Sequence, residues 1–169
     1  TLDETYTDGI FSLSVDVRNT SSKTENVSVR YELYEGESSR CAGSVKKVNV
    51  HANSETTIDF SATIKNVNKW TAETPQLYKV LITVDYINPE IIPFNVGFRK
   101  IEIKESEYEA GGRKLNLFYV NGQPIKLKGV NIHELSQHTG HYISPEEMLR
   151  NLEIMKQNNV NSIRLSHYP

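Results

Sequence analysis

Two short apolar segments near the end of the chain, joined by a helix with clear boundary signals, constrain the fold more than any other feature. The first runs from Lys128 to Glu134 and the second from Asn161 to Pro169, and each apolar run ends in polar residues. Between them, Ser144-Pro145-Glu146-Glu147 combines an N-cap residue, a proline suited to the first helical position and a capping box. A strand, a crossover helix and a strand form a βαβ unit with parallel strands and a right-handed connection. We therefore predict the first βαβ unit of a (β/α)8 barrel, truncated after its second strand.

The predicted helix has one apolar face. Met148, Leu152 and Met155 follow one another at i, i+4 and i+7, and Asn158-Asn159 is expected to end the helix. An apolar helix face beside the open edge of a second strand needs cover from the rest of the chain or from another copy. A homo-oligomer is therefore one expectation.

The first hundred residues follow a different pattern, that of antiparallel strands. Apolar residues from Phe11 to Val17 alternate with polar ones, and the alternation returns from Val27 to Leu33. Four further strands are predicted, at residues 45–50, 56–64, 77–86 and 91–103. Short strands separated by polar turns predict an immunoglobulin-like β-sandwich. The chain is thus expected to be mainly β, with the sandwich domain at residues 1–105, a linker at 106–117 and the start of the barrel at 118–169.

A short hairpin is predicted at the entrance to the barrel segment. Phe118 to Val120 and Ile125 to Leu127 flank the dipeptide Asn121-Gly122, a strong turn signal between two strands.

Composition and charge exclude several classes of partner. The net charge is −2 and the pI about 6.2, which gives no electrostatic argument for binding to nucleic acid or to an anionic membrane. Apolar runs are too short to span a membrane, and the first residues do not resemble a signal peptide. Cys41 is the single cysteine, so an internal disulfide is ruled out.

Candidate binding residues follow the two predicted strands of the barrel unit. His133 and His167 lie just past the strand ends, with Asn131, Glu134 and Arg164 nearby in sequence. Parallel strands open on the same face, and active sites of such barrels gather at the carboxyl ends of their strands. These side chains supply donors, acceptors and charge, which suits a ligand rich in hydroxyl groups. The alternative interpretation is that they are ordinary loop residues.

A metal site built from the histidines fits the sequence less well. His133-Glu134 is followed by His138, so the zinc-protease helix motif fails at Gln137, and Thr139-Gly140 argues against a helix there. We expect no metal in this chain.

Trp70, the single tryptophan, allows two interpretations. It could be a platform on which a sugar stacks, or a core anchor between the two sheets. The second is preferred, because a sandwich core commonly holds one large aromatic residue.

A series of motifs resembles glycoside hydrolase family 2, and within it the β-galactosidases. Trp70 to Tyr78 and Val96 to Arg99 are similar to segments of the family's immunoglobulin-like domain. Phe118 to Glu134 resembles its first barrel strand. Met155 to Asn161 and Arg164 to Pro169 resemble its first barrel helix and second strand. From Phe118 onward the resemblance extends to specific motifs, whereas over residues 1–65 it is limited to the type of fold.

The resemblance implies roles for individual residues. His133 and His167 match histidines that hydrogen-bond sugar hydroxyls and stabilise the transition state, with Asn131 beside them in a more structural position. Arg164 matches an arginine that orients the nucleophile. Glu134 and Trp70 match structural positions of the motifs.

The resemblance also implies an activity, that of a retaining β-galactosidase acting on terminal β-galactosides in carbohydrate metabolism. Both catalytic glutamates of the family lie on later barrel strands, so the chain alone is expected to be inactive. The family's magnesium ligands lie mostly downstream as well, so any bound Mg²⁺ is expected in the full-length parent protein and not in this chain. Alternatives are a β-glucuronidase or β-mannosidase of the same family, or a non-catalytic immunoglobulin-like interaction module. By analogy with the family, the protein would be located in the periplasm or secreted from the cell.

Overall fold

The computed structural model describes residues 1–166, which are mainly β, as predicted. The chain separates into two compact units, Thr1–Gln123 and Pro124–Pro169. The first unit holds an immunoglobulin-like β-sandwich and a hairpin, and the second holds a βαβ unit. Helix α1 spans Pro145–Gln157. The strands of the two units, in chain order, are β1 (Gly9–Asn19), β2 (Glu25–Glu35), β3 (Ser39–Val50), β4 (Ser54–Ile64), β5 (Tyr78–Asp85), β6 (Glu90–Val96), β7 (Ile101–Ala110), β8 (Arg113–Val120), β9 (Gln123–Pro124), β10 (Gly129–Ile132) and β11 (Ser162–Leu165).

Two antiparallel sheets enclose the sandwich core. One pairs β1 with β4, and the other has the order β3-β2-β5-β6. Alternate residues of β1, β2 and β4 point inward: in β1, as the sequence predicted, Phe11 is buried while Ser12 and Ser14 are exposed. The fully buried side chains of the four-stranded sheet include Val29, Leu33 and Val80, which are at most 2% exposed.

The segment predicted as one strand at residues 91–103 is two strands, β6 and β7. Gly97 lies between them, and a Cβ on Gly97 would come within 2.9 Å of the Trp70 ring. The next residue, Phe98, is buried and packs edge-on against Tyr78, with ring centroids 5.1 Å apart. The chain therefore leaves the sandwich at a packed corner and does not continue as a straight strand.

Residues 106–117, predicted to be a linker, form most of a β-hairpin. Strand β7 pairs antiparallel with β8, with an irregularity between Glu105 and Glu109, and Gly111-Gly112 forms the turn. Both glycines have positive φ angles, 59° and 73°, which glycine adopts without steric cost. The sequence signal was the Gly-Gly pair, which marks a tight turn as well as a flexible connection.

The turn at Asn121-Gly122 is confirmed, with φ angles of 51° and 77° that fit a tight hairpin turn. The strand after it is shorter than predicted, because β9 covers only Gln123–Pro124 and residues 125–127 lie outside the strands. Proline has no backbone N–H to donate to a ladder, which explains why pairing stops there.

The N-terminal segment holds the hairpin to the sandwich. The Tyr6 hydroxyl donates to Glu102 Oε2 at 2.8 Å and accepts from Lys104 Nζ at 2.5 Å. Hydrogen bonds to Tyr6 and Glu102 raise the pKa of Lys104. The Tyr6 ring also lies against Gly122, where a Cβ would meet it at 2.7 Å.

The second unit contains the predicted strand–helix–strand. Helix α1 begins at the N-cap Ser144, whose side chain accepts a hydrogen bond from the Glu147 N–H at 3.2 Å. It ends before Asn158 and Asn159, and Asn159 has a left-handed φ of 61°. Within residues 1–166 no helix is long and apolar enough to cross a membrane.

Asn19, at the end of β1, provides a test of the sandwich. Its buried side-chain amide donates to the carbonyls of Lys23, Val50 and His51 at 2.7–3.1 Å. Asn19→Ala leaves these carbonyls without that donor, so we expect a loss of roughly 1–3 kcal/mol in the free energy of unfolding. Urea unfolding followed by circular dichroism measures it.

Asn26→Ala is the matched control, because the Asn26 amide donates only to the exposed side chain of Asn49. We expect a change within about 0.5 kcal/mol for it. Equal losses in the two variants would contradict a structural role specific to Asn19.

Candidate functional site

The candidate site is the carboxyl-terminal edge of the two parallel strands β10 and β11. The strands pair in parallel, with Asn131 opposite Arg164 and Ile132 opposite Leu165. Residues opposite each other in a ladder project from the same face of the sheet. The structure therefore brings Asn131 and Arg164 together on one face, as the sequence predicted.

His133 and Glu134 follow β10 directly, at the position where the sequence placed them. His133 is exposed and Glu134 is half-buried. The Ser166 N–H, just past β11, donates to the Ile132 carbonyl at 3.0 Å, so the hydrogen bonding between the two strands continues up to the residue before His133. His167 lies outside the described residues.

The other face of the two strands is apolar. Val130 and Ile163 form the neighbouring rung and are 38% and 36% exposed. The alternation of polar and apolar rungs fixes which side of the sheet carries the candidate binding residues.

Asn161 fixes the register of this ladder and was not singled out from the sequence as a functional residue. Its Oδ1 accepts the Lys128 N–H at 2.8 Å, and its Nδ2 donates to the Lys126 carbonyl at 2.9 Å. Its own N–H donates to the Lys128 carbonyl at 3.1 Å. The side chain thus extends the pairing of β10 and β11 beyond their first rung. An asparagine directly before an apolar strand was the available signal.

A compact loop follows Glu134. Ser136 and Gly140 exchange two backbone hydrogen bonds, at 2.9 and 3.0 Å, and the His138 N–H donates to Ser136 Oγ at 3.2 Å. His138 Nε2 lies 3.0 Å from Gln137 Nε2. Among residues 1–166, no three His, Cys, Asp or Glu side chains come together as metal ligands. The absence of a metal from this chain stays a prediction.

The prediction that Trp70 anchors the core between the sheets is wrong. Trp70 is half-buried and lies outside the core cluster, in the segment between β4 and β5. Its ring stacks under the Arg99 guanidinium, whose carbon is 4.4 Å from the ring centroid, and it covers Gly97. The Trp70 carbonyl accepts from Asn121 Nδ2 at 3.0 Å. Trp70 therefore packs where the sandwich meets the hairpin, and the aromatic residues of the core are others.

Comparison with known proteins agrees with this combination of a β-sandwich and a barrel edge with polar strand ends. The family model for glycosyl hydrolases family 2 matches residues 1–99, and the model for the TIM barrel domain of the same family matches residues 113–169. The chain belongs to glycosyl hydrolases family 2.

Curated relatives carry the name β-galactosidase. That of Streptococcus thermophilus is 34% identical over 159 residues, 93% of this chain and 14% of the relative. That of Pseudoalteromonas haloplanktis is 28% identical over 176 residues, 99% of this chain and 16% of the relative. The chain thus spans about a sixth of the length of these relatives.

Solved structures show the same fold. A Bacteroides uniformis β-glucuronidase matches with a TM-score of 0.81 and 23% identity, covering 98% of this chain and 19% of that one. A glycosyl hydrolase family 2 member from Bacteroides cellulosilyticus matches with a TM-score of 0.78 and 22% identity, covering 98% and 23%.

Asn161→Ala should loosen the ladder that holds the candidate site. Because the variant loses both side-chain hydrogen bonds to the segment before β10, we expect backbone amides of residues 128–132 to exchange with deuterium at least about tenfold faster, or about 1.4 kcal/mol of local protection. Hydrogen exchange followed by NMR measures this. Asn158→Ala is the control, since the Asn158 amide donates to the Ile154 carbonyl at the end of α1. Unchanged exchange in Asn161→Ala would show that the backbone alone sets the register.

Proposed function

We propose that this chain supplies the immunoglobulin-like domain and the first barrel strands of a retaining β-galactosidase. The observation that carries the proposal is the shared rung of Asn131 and Arg164 beside His133, at the carboxyl edge of two parallel strands. This edge is where barrel enzymes hold their substrates. The relatives matched over 93–99% of the chain are named β-galactosidases, which supports galactosides over other glycosides.

Each candidate residue has a proposed part in binding the sugar. His133 and His167 would hydrogen-bond hydroxyl groups of the substrate, and these contacts would strengthen as the ring flattens toward an oxocarbenium ion. Arg164, always charged, would hold a nucleophilic carboxylate in position. Asn131, on the same rung, would keep Arg164 and the substrate in register.

A retaining mechanism needs two carboxyl groups about 5 Å apart. Within the described part of the second unit, Glu134 lies at the strand-end edge, whereas Glu146 and Glu147 lie in the first turn of α1 and Glu153 lies further along the same helix. Negative charge in the first turn complements the helix dipole, and a hydrogen bond from its own backbone N–H lowers the pKa of Glu146. We propose that these carboxylates do not form the required pair and that a polypeptide of residues 1–169 alone is inactive.

The activity is tested with the protein encoded by the complete reading frame that contains residues 1–169. Nitrophenyl β-galactoside, β-glucuronide and β-mannoside serve as parallel substrates. We expect kcat/KM for the galactoside to exceed the others by at least about tenfold, a difference of about 1.4 kcal/mol in transition-state binding. A preference for the glucuronide or mannoside would replace the proposed substrate, and turnover by residues 1–169 alone would overturn the proposed inactivity.

The role of His133 is tested in the same protein. His133→Ala should lower kcat by at least about tenfold with a smaller change in KM, because the lost interaction is made mainly in the transition state. His141→Ala is the matched control: His141 is also an exposed histidine of the second unit but lies in the loop before α1. A raised KM with unchanged kcat would contradict the role assigned to His133.

A further inference from the structure

A cavity of about 300 Å³ opens at one end of the β-sandwich. Four chain segments surround it: the end of β1 with the turn that follows, the start of β2, the end of β3, and the turn between β5 and β6. It lies within the first unit and shares no residue with the strand-end edge of the barrel unit. None of the roles proposed above uses it.

The floor of the cavity is apolar and fixed. It consists of Val17, Val27, Val50 and Val84, of which Val27 and Val50 are buried. The buried side-chain amide of Asn19 forms part of the wall, and its nitrogen donates hydrogen bonds to the backbone carbonyls of Lys23, Val50 and His51. The cavity is therefore a preformed feature of the sandwich.

The rim is polar and carries one aromatic ring. The side chains of Arg18, Asn88 and Glu90 are exposed and make no hydrogen bond or ion pair within residues 1–166. Tyr86 is 44% exposed, and the Glu25 carboxylate near its hydroxyl raises the pKa of Tyr86.

The combination matches the chemistry of a sugar ring. A tyrosine face and the exposed parts of Val17 and Val84 accept the C–H face of a pyranose, while the carboxylates accept hydrogen bonds from hydroxyl groups and the arginine and asparagine donate them. The volume lies at the small end of ligand pockets, which suits a single ring. Glu25 and Glu90 outnumber Arg18, so the charge of the lining disfavours an anionic sugar such as a uronate.

We propose that this cavity is a non-catalytic binding site for one neutral hexose ring, either free or at the end of an oligosaccharide. Such a site would hold carbohydrate on the sandwich independently of any chemistry in the barrel. The proposal does not depend on the proposed function, because it rests on the residues of the first unit alone.

The test is an NMR titration of the 169-residue chain with D-galactose, D-glucose, lactose and D-glucuronate, followed through the methyl signals of Val17, Val27 and Val84. We expect saturable shifts with the neutral sugars at millimolar concentrations and at least about tenfold weaker binding of D-glucuronate. Tighter binding of lactose than of both monosaccharides would identify an oligosaccharide end as the ligand, and equal binding a free hexose. No saturable shift with a neutral sugar would overturn the proposal.

Variants at the rim separate a specific site from general surface effects. Tyr86→Ala should weaken binding at least about tenfold, and Tyr86→Phe, which keeps the ring, should bind within about threefold of the parent chain. Tyr108→Ala is the matched control, since Tyr108 is 65% exposed on β7 and does not line the cavity. Retained binding in Tyr86→Ala, or equal losses in Tyr86→Ala and Tyr108→Ala, would contradict the site.

Discussion

The sandwich depends on a cluster of three aromatic rings at its centre. Tyr31, on the strand that pairs with both β3 and β5, is 2% exposed and lies 5.0 Å from the Phe11 ring and 5.2 Å from the Phe60 ring. Phe11 and Phe60 come from the opposite sheet, so three rings join the two layers. Aromatic pairs at such distances add about 0.5–1.5 kcal/mol each beyond the area they bury. These ring contacts turn toward the core the faces of β1, β2 and β4 that carry Phe11, Tyr31 and Phe60.

A second cluster carries the chain out of the sandwich. Tyr78 is buried, and its hydroxyl accepts the Asn68 N–H at 2.9 Å and donates to Glu35 at 3.3 Å. Burial raises the pKa of Tyr78, which keeps the hydroxyl protonated and able to donate. Phe98 packs edge-on against the Tyr78 ring. Phe98 directly precedes Arg99, which stacks on Trp70. Side-chain packing is therefore continuous from the sandwich core to the start of the hairpin.

The sequence predicted those parts of the structure that depend on local periodicity. Alternation in β1 and β2, the capped start of α1 at Ser144 and the parallel pairing that follows from a strand–helix–strand order all appear in the structure. Residues whose role depends on distant partners were predicted poorly. Trp70 was assigned to the core because of its size, yet its position is decided by Gly97 and Arg99, which lie more than twenty residues away in the chain. Composition alone does not reveal such a pairing.

The same limit applies to the candidate site. The sequence placed His133, Asn131 and Arg164 at strand ends, but it did not show what keeps them on one face. A slip of one residue between β10 and β11 would turn Arg164 to the apolar side of the sheet, because side chains alternate along each strand. Asn161 opposes such a slip through its two side-chain bonds to the segment before β10. The candidate binding residues at the carboxyl end of these strands are therefore positioned by Asn161, at the amino end of the ladder.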